Sequence, residues 1–69
     1  MSKYSLIAMN KIKNLRIEKG LSQVDMAKLL NTTYQAYAHY ERGRREPDIE
    51  TIIKLSQFFN ISLNELFDL

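Results

Sequence analysis

Residues 21–43 read LSQVDMAKLLNTTYQAYAHYERG, and their pattern predicts a helix, a tight turn and a second helix. Ser22 is a favoured N-cap, and Asp25 three residues on completes a capping-box-like pair. Val24, Met26, Ala27, Leu29 and Leu30 supply the apolar residues of the first helix, about two turns long. Asn31 follows. Asparagine is one of the few non-glycine residues that enters the left-handed region readily, so it can turn the chain sharply. Thr33 stands where it can cap a second helix running from about Tyr34 to Tyr40. Ala27 is small at a point where two crossing helices must approach closely. Tyr37 and Tyr40 are three apart and share one face. They can pack back on the first helix, leaving Tyr34, Gln35, Ala38 and His39 to face outward. Helix–turn–helix units of this length dock their second helix in the major groove of DNA.

The segment resembles the helix–turn–helix family of phage repressors and related bacterial regulators, the Cro/C1 or Xre type. Leu21-Ser22-Gln23, Ala27, Asn31, Tyr37, Tyr40 and Glu41-Arg42-Gly43 carry the resemblance. It continues through Leu15-Arg16 and through Pro47 to Leu66, so it covers about Asn10–Phe67. Two positions depart from the family pattern. Asn31 stands where the family has a turn glycine, and Tyr37 where it has a buried aliphatic. A tyrosine hydroxyl at that place has to reach water or a partner. The resemblance implies an all-α fold, a compact five-helix bundle of the phage-repressor DNA-binding type with the helix–turn–helix at helices 2 and 3. It also implies that Arg16 pairs with Glu41, a structural tie between helix 1 and the end of helix 3. Without it, the two are ordinary surface charges whose pairing contributes almost nothing.

Sixty-nine residues make one small domain. A chain of this size buries only about 60% of its unfolded surface, so its stability is marginal. It has no cysteine, hence no disulfide and no thiolate metal site. A hydrophobic fraction of 45% suits a folded domain rather than a disordered one. No apolar run approaches the roughly 20 residues that span a bilayer, and Leu6–Met9 is too short for a signal-peptide core. These features predict a cytoplasmic protein with no membrane contact. The net charge of +2 divides unevenly. Residues 1–45 carry nine Lys/Arg against Glu18, Asp25 and Glu41, a balance of +6; residues 46–69 carry Lys54 against five acids, a balance of −4. One half can attract phosphate while the other avoids it.

The remaining chain reads as follows. Residues 1–7 are expected to be a flexible N-terminal arm, either a disordered or loosely packed end or an arm that touches DNA through Lys3, with the domain proper at 8–69. Met9, Ile12 and Leu15 follow helical spacing and Gly20 closes the segment, which predicts helix 1 over about Ala8–Lys19. Its Lys11 and Lys13 form a solvated face or reach phosphate. Pro47 opens a new element with Asp48 as cap and Glu50 in the first turn. Ile49, Ile52, Ile53, Leu55 and Phe59 give an apolar stripe for helix 4 over about Asp48–Phe58, and Asn60 suits its left-handed end. Ser62 and Glu65 form a capping box for a short helix 5 with Leu63, Leu66, Phe67 and Leu69 on its apolar face. The helices should pack around Ile12, Leu15, Leu21, Met26, Leu30, Tyr37, Ile52, Leu55, Phe59, Ile61 and Leu66.

Several side chains are candidates for contact with double-stranded DNA. Gln23 begins helix 2, where the dipole and free amides attract phosphate; the family resemblance implies a glutamine on the DNA backbone here, and sometimes on a base. Gln35 lies in the first turn of helix 3, and its amide matches the N6/N7 edge of adenine. Thr33 and Tyr34 can touch phosphate or a thymine methyl group. Ala38 shares their outward face. His39 lies one turn beyond Gln35 and reads as a base or phosphate contact, or as a plain surface histidine. Arg42, Arg44 and Arg45 follow helix 3, where guanidinium forks suit phosphate; the plainer alternative is a loop charged for solubility.

No catalytic or metal site is expected. The one histidine has no cysteine or paired acid at a suggestive spacing, Ser22 and Ser62 are accounted for as caps, and no cofactor motif is present. The expected function is sequence-specific DNA binding by a transcriptional regulator, a repressor in the first instance. The alternative is an antitoxin-like or other protein-interaction module of the same fold. Two copies would read a pseudo-palindromic operator, and Leu63, Leu66, Phe67 and Leu69 form the expected homodimer contact.

Overall fold

The computed structural model describes residues 1–69 as five α-helices. They are α1 (Lys3–Glu18), α2 (Gln23–Leu29), α3 (Tyr34–Glu41), α4 (Ile49–Phe59) and α5 (Leu63–Phe67). All five open and close by the same two devices. Ser2, Ser22, Thr33, Asp48 and Ser62 each accept a hydrogen bond from the backbone amide three residues on, which satisfies one of the orphan donors of the first turn. At the other end each helix meets a left-handed residue: Gly20 (φ 72°), Asn31 (φ 54°), Gly43 (φ 73°), Asn60 (φ 52°) and Asp68 (φ 61°). Around each of these, two amides turn back to the last carbonyls. At α1 they are Leu21 to Arg16 and Gly20 to Ile17; at α2, Thr32 to Ala27 and Asn31 to Lys28. This is the Schellman closure, repeated five times.

α2 packs on α3, α1 lies against both α3 and α5, and α4 joins α5. The core is built from Ala8, Met9 and Ile12 of α1, Met26, Ala27 and Leu30 at α2, and Tyr37 and Tyr40 of α3. Ile52, Leu55, Phe59 and Leu66 close it from the carboxy-terminal side. Tyr37 and Tyr40 meet edge to face, 6.3 Å between centroids. Ala27 is buried, 3% exposed, on the helix that packs against α3. Leu15, Leu21 and Ile61, expected at the centre, pack at the rim instead.

The expected arm over residues 1–7 is helix from Lys3 onward, so α1 begins five residues before the anticipated Ala8. Ser2 caps it, Ser5 is buried in its first turn, and Leu6 packs against the loop after α3. In α2, Val24 and Leu29 face solvent; only Met26, Ala27 and Leu30 point inward. On α4, Ile52, Leu55 and Phe59 take the core, while Ile49 and Ile53 stand outside it. Asp48 is the cap of α4 and not its first residue, which shifts that helix one place along.

A candidate nucleic-acid interface

Glu41 is the hub that fixes α3. Its side chain is 2% exposed and that of Arg16 is 12% exposed. Arg16 donates to it through Nε at 2.7 Å and Nη2 at 3.1 Å, while Arg16 Nη1 donates to the Leu21 carbonyl at 2.8 Å. Tyr37 Oη donates to Glu41 Oε2 at 2.5 Å, and Gln23 Nε2 to Oε1 at 3.0 Å. One carboxylate therefore joins α1, the start of α2 and two turns of α3. Burial would push the Glu41 carboxyl up, but the bonds from Arg16, Tyr37 and Gln23 outweigh it and hold the group below its ordinary value. Burial, and then the bond to Glu41, pushes the Tyr37 phenol well above its ordinary range. No buried side-chain polar atom lacks a partner. The hydroxyl that Tyr37 brings to an aliphatic position is satisfied within its own helix.

With α3 held in this way, its amino-terminal turn faces outward. Thr33 accepts from the Ala36 amide at 3.1 Å, which leaves its own hydroxyl proton free to donate. Tyr34 and Gln35 are exposed beside it, and His39 is half-buried one turn on. Ala38 departs from expectation: it is 2% exposed. Its helical neighbours three and four residues away are Tyr34, Gln35, Glu41 and Arg42, all long side chains, and a single methyl lies in their shadow. Gln23 also departs from a free phosphate ligand, because one amide proton is already committed to Glu41.

Gly43 ends α3 and releases the arginines. The amides of Arg44 and Arg45 both bond the His39 carbonyl, at 2.9 and 3.3 Å. The guanidiniums of Arg42 and Arg44 are exposed and have no hydrogen-bond or ion-pair partner within the chain, whereas Arg45 leans over the Tyr40 ring, 5.9 Å from its centroid. The next residue, Glu46, turns away from them. Its Oε1 accepts from the Ser2 amide at 3.0 Å and from Ser5 Oγ at 2.5 Å. These bonds lower the Glu46 carboxyl to about 2. Lys11, read as a solvated or phosphate-reaching residue, instead donates to the Glu65 carbonyl and sits 3.4 Å from Asp68. Along α5, Leu66 is 0% exposed and belongs to the core, so it cannot form part of a dimer contact; Leu63 and Leu69 are exposed and Phe67 is half-buried. Tyr4, Phe67 and Leu69 line a shallow apolar groove between α1 and α5.

A family model described as helix-turn-helix matches residues 12–66. The chain belongs to the Cro/C1-type helix-turn-helix family. Within this family it is 43% identical over 56 residues to the SPbeta prophage-derived uncharacterized HTH-type transcriptional regulator YonR of Bacillus subtilis, a match covering 81% of this chain and 52% of that protein. It is 35% identical over 57 residues to the cryptic phage CTXphi transcriptional repressor RstR of Vibrio cholerae, covering 83% of this chain and 51% of the relative. A crystal structure of a transcriptional regulator from Listeria innocua superposes with a TM-score of 0.80 at 36% identity, over 86% of this chain and 55% of that one. The chain thus spans about half the length of these helix-turn-helix relatives.

Two contributions to the site carried no expectation in the sequence. Tyr37 and Glu41 are four apart, a spacing at which helical side chains meet, so their bond had a local signal. Glu46 had none, because its partners lie 44 and 41 residues away.

Proposed function

We propose that this helix-turn-helix domain binds double-stranded DNA sequence-specifically, with α3 in the major groove, and serves a transcriptional regulator that acts as a repressor. One observation carries the reading: Glu41 fixes α3 so that Thr33, Tyr34 and Gln35 are presented at its amino end and Arg42 and Arg44 beyond its carboxy end. The first group reads base edges and the second holds phosphate. His39 lies between them, and Gln23 adds a phosphate contact through its second amide proton. The name of the Vibrio relative, a transcriptional repressor, supports the sign of regulation.

A single recognition helix covers few base pairs, so the operative species is a homodimer on a pseudo-palindromic site with half-sites about 34–36 Å apart. Leu63, Phe67 and Leu69 provide the self-contact, extended by Tyr4 across the groove. No helix is long and apolar enough to cross a membrane, and the domain works on DNA in the cytoplasm. It performs no catalysis and takes no cofactor.

Selection of bound sequences from a random DNA pool tests the reading. Gln35→Ala is expected to cost roughly 1–3 kcal/mol on the selected site and to relax preference at one base pair. Equal weakening on selected and random DNA argues against a base contact. A chain that binds no DNA but captures a protein partner is an antitoxin-like interaction module instead.

A further inference from the structure

The α2 helix carries its capping box within one stretch: Ser22 Oγ accepts from the Asp25 amide, and the Asp25 carboxylate accepts from the Ser22 amide at 2.8 Å. The α1 helix has only half of that device locally. Ser2 Oγ accepts from the Ser5 amide, but Ser5 has no carboxylate to return. Glu46 supplies it from 44 residues away, accepting from the Ser2 amide at 3.0 Å and from Ser5 Oγ at 2.5 Å. The capping box of α1 is closed by the loop that follows the recognition helix.

The consequence falls on that loop. Its first half is tied to α3 by the Arg44 and Arg45 amides on the His39 carbonyl. No backbone hydrogen bond reaches Glu46, and Pro47 has no amide proton to give. The Glu46 side chain is the hydrogen-bonded anchor of the second half. Gly43 is pressed against α1 as well: a Cβ there would stand 2.9 Å from Leu6 Cδ2. Engaged in this way, the carboxylate also stays off the neighbouring guanidiniums, which it would otherwise neutralise.

We propose that Glu46, through Ser2 and Ser5, is a positioning residue for DNA binding: it fixes the loop bearing Arg42, Arg44 and Arg45 against α1 before DNA arrives. The proposal rests on the DNA-binding reading above. It makes a prediction opposite in sign to simple electrostatics. Removing an acid beside three arginines should tighten binding to a polyanion if charge alone acts. Loss of the anchor should weaken it, because the loop must then be ordered at the moment of binding.

The test uses the full chain, titrated by fluorescence anisotropy against the selected duplex and a random duplex over a series of salt concentrations, with thermal melting alongside. Glu46→Ala is expected to weaken both duplexes about threefold or more and to reduce the salt slope, as an impaired phosphate contact does. Glu46→Gln keeps the accepting oxygen and is expected to bind at least as tightly as the parent. Ser5→Ala changes no charge and is expected to weaken binding in the same direction, and it decides the matter if Glu46→Ala does not fold. Tighter or unchanged binding by Glu46→Ala, or unchanged binding by a folded Ser5→Ala, overturns the proposal. A parent chain that binds neither duplex overturns the DNA reading itself and this proposal with it.

Discussion

The hydroxyl of Tyr37 donates to Glu41 one turn further along α3, at 2.5 Å, and the same carboxylate holds Arg16 and Gln23. Tyr37→Phe removes this bond while leaving the ring in place, so no cavity opens. Glu41 keeps its bonds from Arg16, and no buried polar atom is orphaned. The expected cost is about 1.5 kcal/mol, the low end for a hydrogen bond to a charged group. Urea unfolding with an unchanged m-value measures it. A phenylalanine variant as stable as the parent contradicts this assignment.

Glu41→Ala should be far more damaging. It strands a guanidinium that is only 12% exposed and leaves the Tyr37 hydroxyl without an acceptor. Truncating one partner of such a pair costs about 3–5 kcal/mol, a large share of the stability of a small domain. In a double-mutant cycle with Arg16→Ala, the coupling should exceed about 1 kcal/mol. Additive losses would show that the two charges act independently.

Acid should unfold the domain in a definite window. Glu41 and Glu46 both titrate below their ordinary value in the fold, Glu46 at about 2. A lowered folded value means that the stabilisation is complete above the unfolded carboxyl value of about 4.3 and is lost as pH falls toward the folded one. Stability is expected to be level from neutrality to about pH 5 and to decline between there and about pH 2, with Asp25 and Asp48 adding to the slope. Denaturant midpoints taken at several pH values give the curve. Glu46→Gln should flatten its most acidic part, and an unaltered slope in that variant contradicts the assignment.

The arginines after α3 should not be equivalent. The Arg44 guanidinium is unpartnered, whereas that of Arg45 already rests on Tyr40. Arg44→Ala should weaken all duplexes alike and lower the slope of log affinity against log salt by about one. Arg45→Ala should have a smaller effect on the slope and a measurable one on melting. Equal slopes for the two variants would count against the distinction.

Leu69 is 76% exposed at the rim of the groove formed with Tyr4 and Phe67. Leu69→Asp should leave folding intact and shift sedimentation toward monomer at concentrations where the parent associates. It tests self-association more cleanly than a change at Phe67, which also packs on the core. Unchanged sedimentation counts against self-association through this groove.

Much of the fold was legible because its punctuation is local. Ser22, Thr33, Asp48 and Ser62 cap in place, Asn31 and Asn60 turn left-handed as their chemistry allows, and the boundaries of α3 and α4 fall within one residue of those expected. The Arg16–Glu41 tie came through family resemblance, since no spacing rule joins residues 25 apart. What escaped was non-local. Residues 1–7 read as an arm, so the cap at Ser2 was not expected, and the carboxylate that completes it arrives from Glu46. Leu66 and Leu63 share the apolar pattern of α5, and only the packing against α1 decides which is core. The outward direction of Ala38 follows from helical spacing, but its burial depends on the bulk of its neighbours, which spacing does not show.

The α1 helix has a mechanical role that its place outside the helix–turn–helix conceals. Sixteen residues make a rod about 24 Å long. Near one end Arg16 grips the last turn of α3; at the other, Ser2 and Ser5 grip the segment beyond it. The stretch from Glu41 to Glu46 is strapped along a splint at two points. Bending the arginine segment away from the recognition helix therefore means deforming a continuous helix or breaking one strap. The outward turn of α3 and the arginines proposed to hold phosphate should move as one rigid piece.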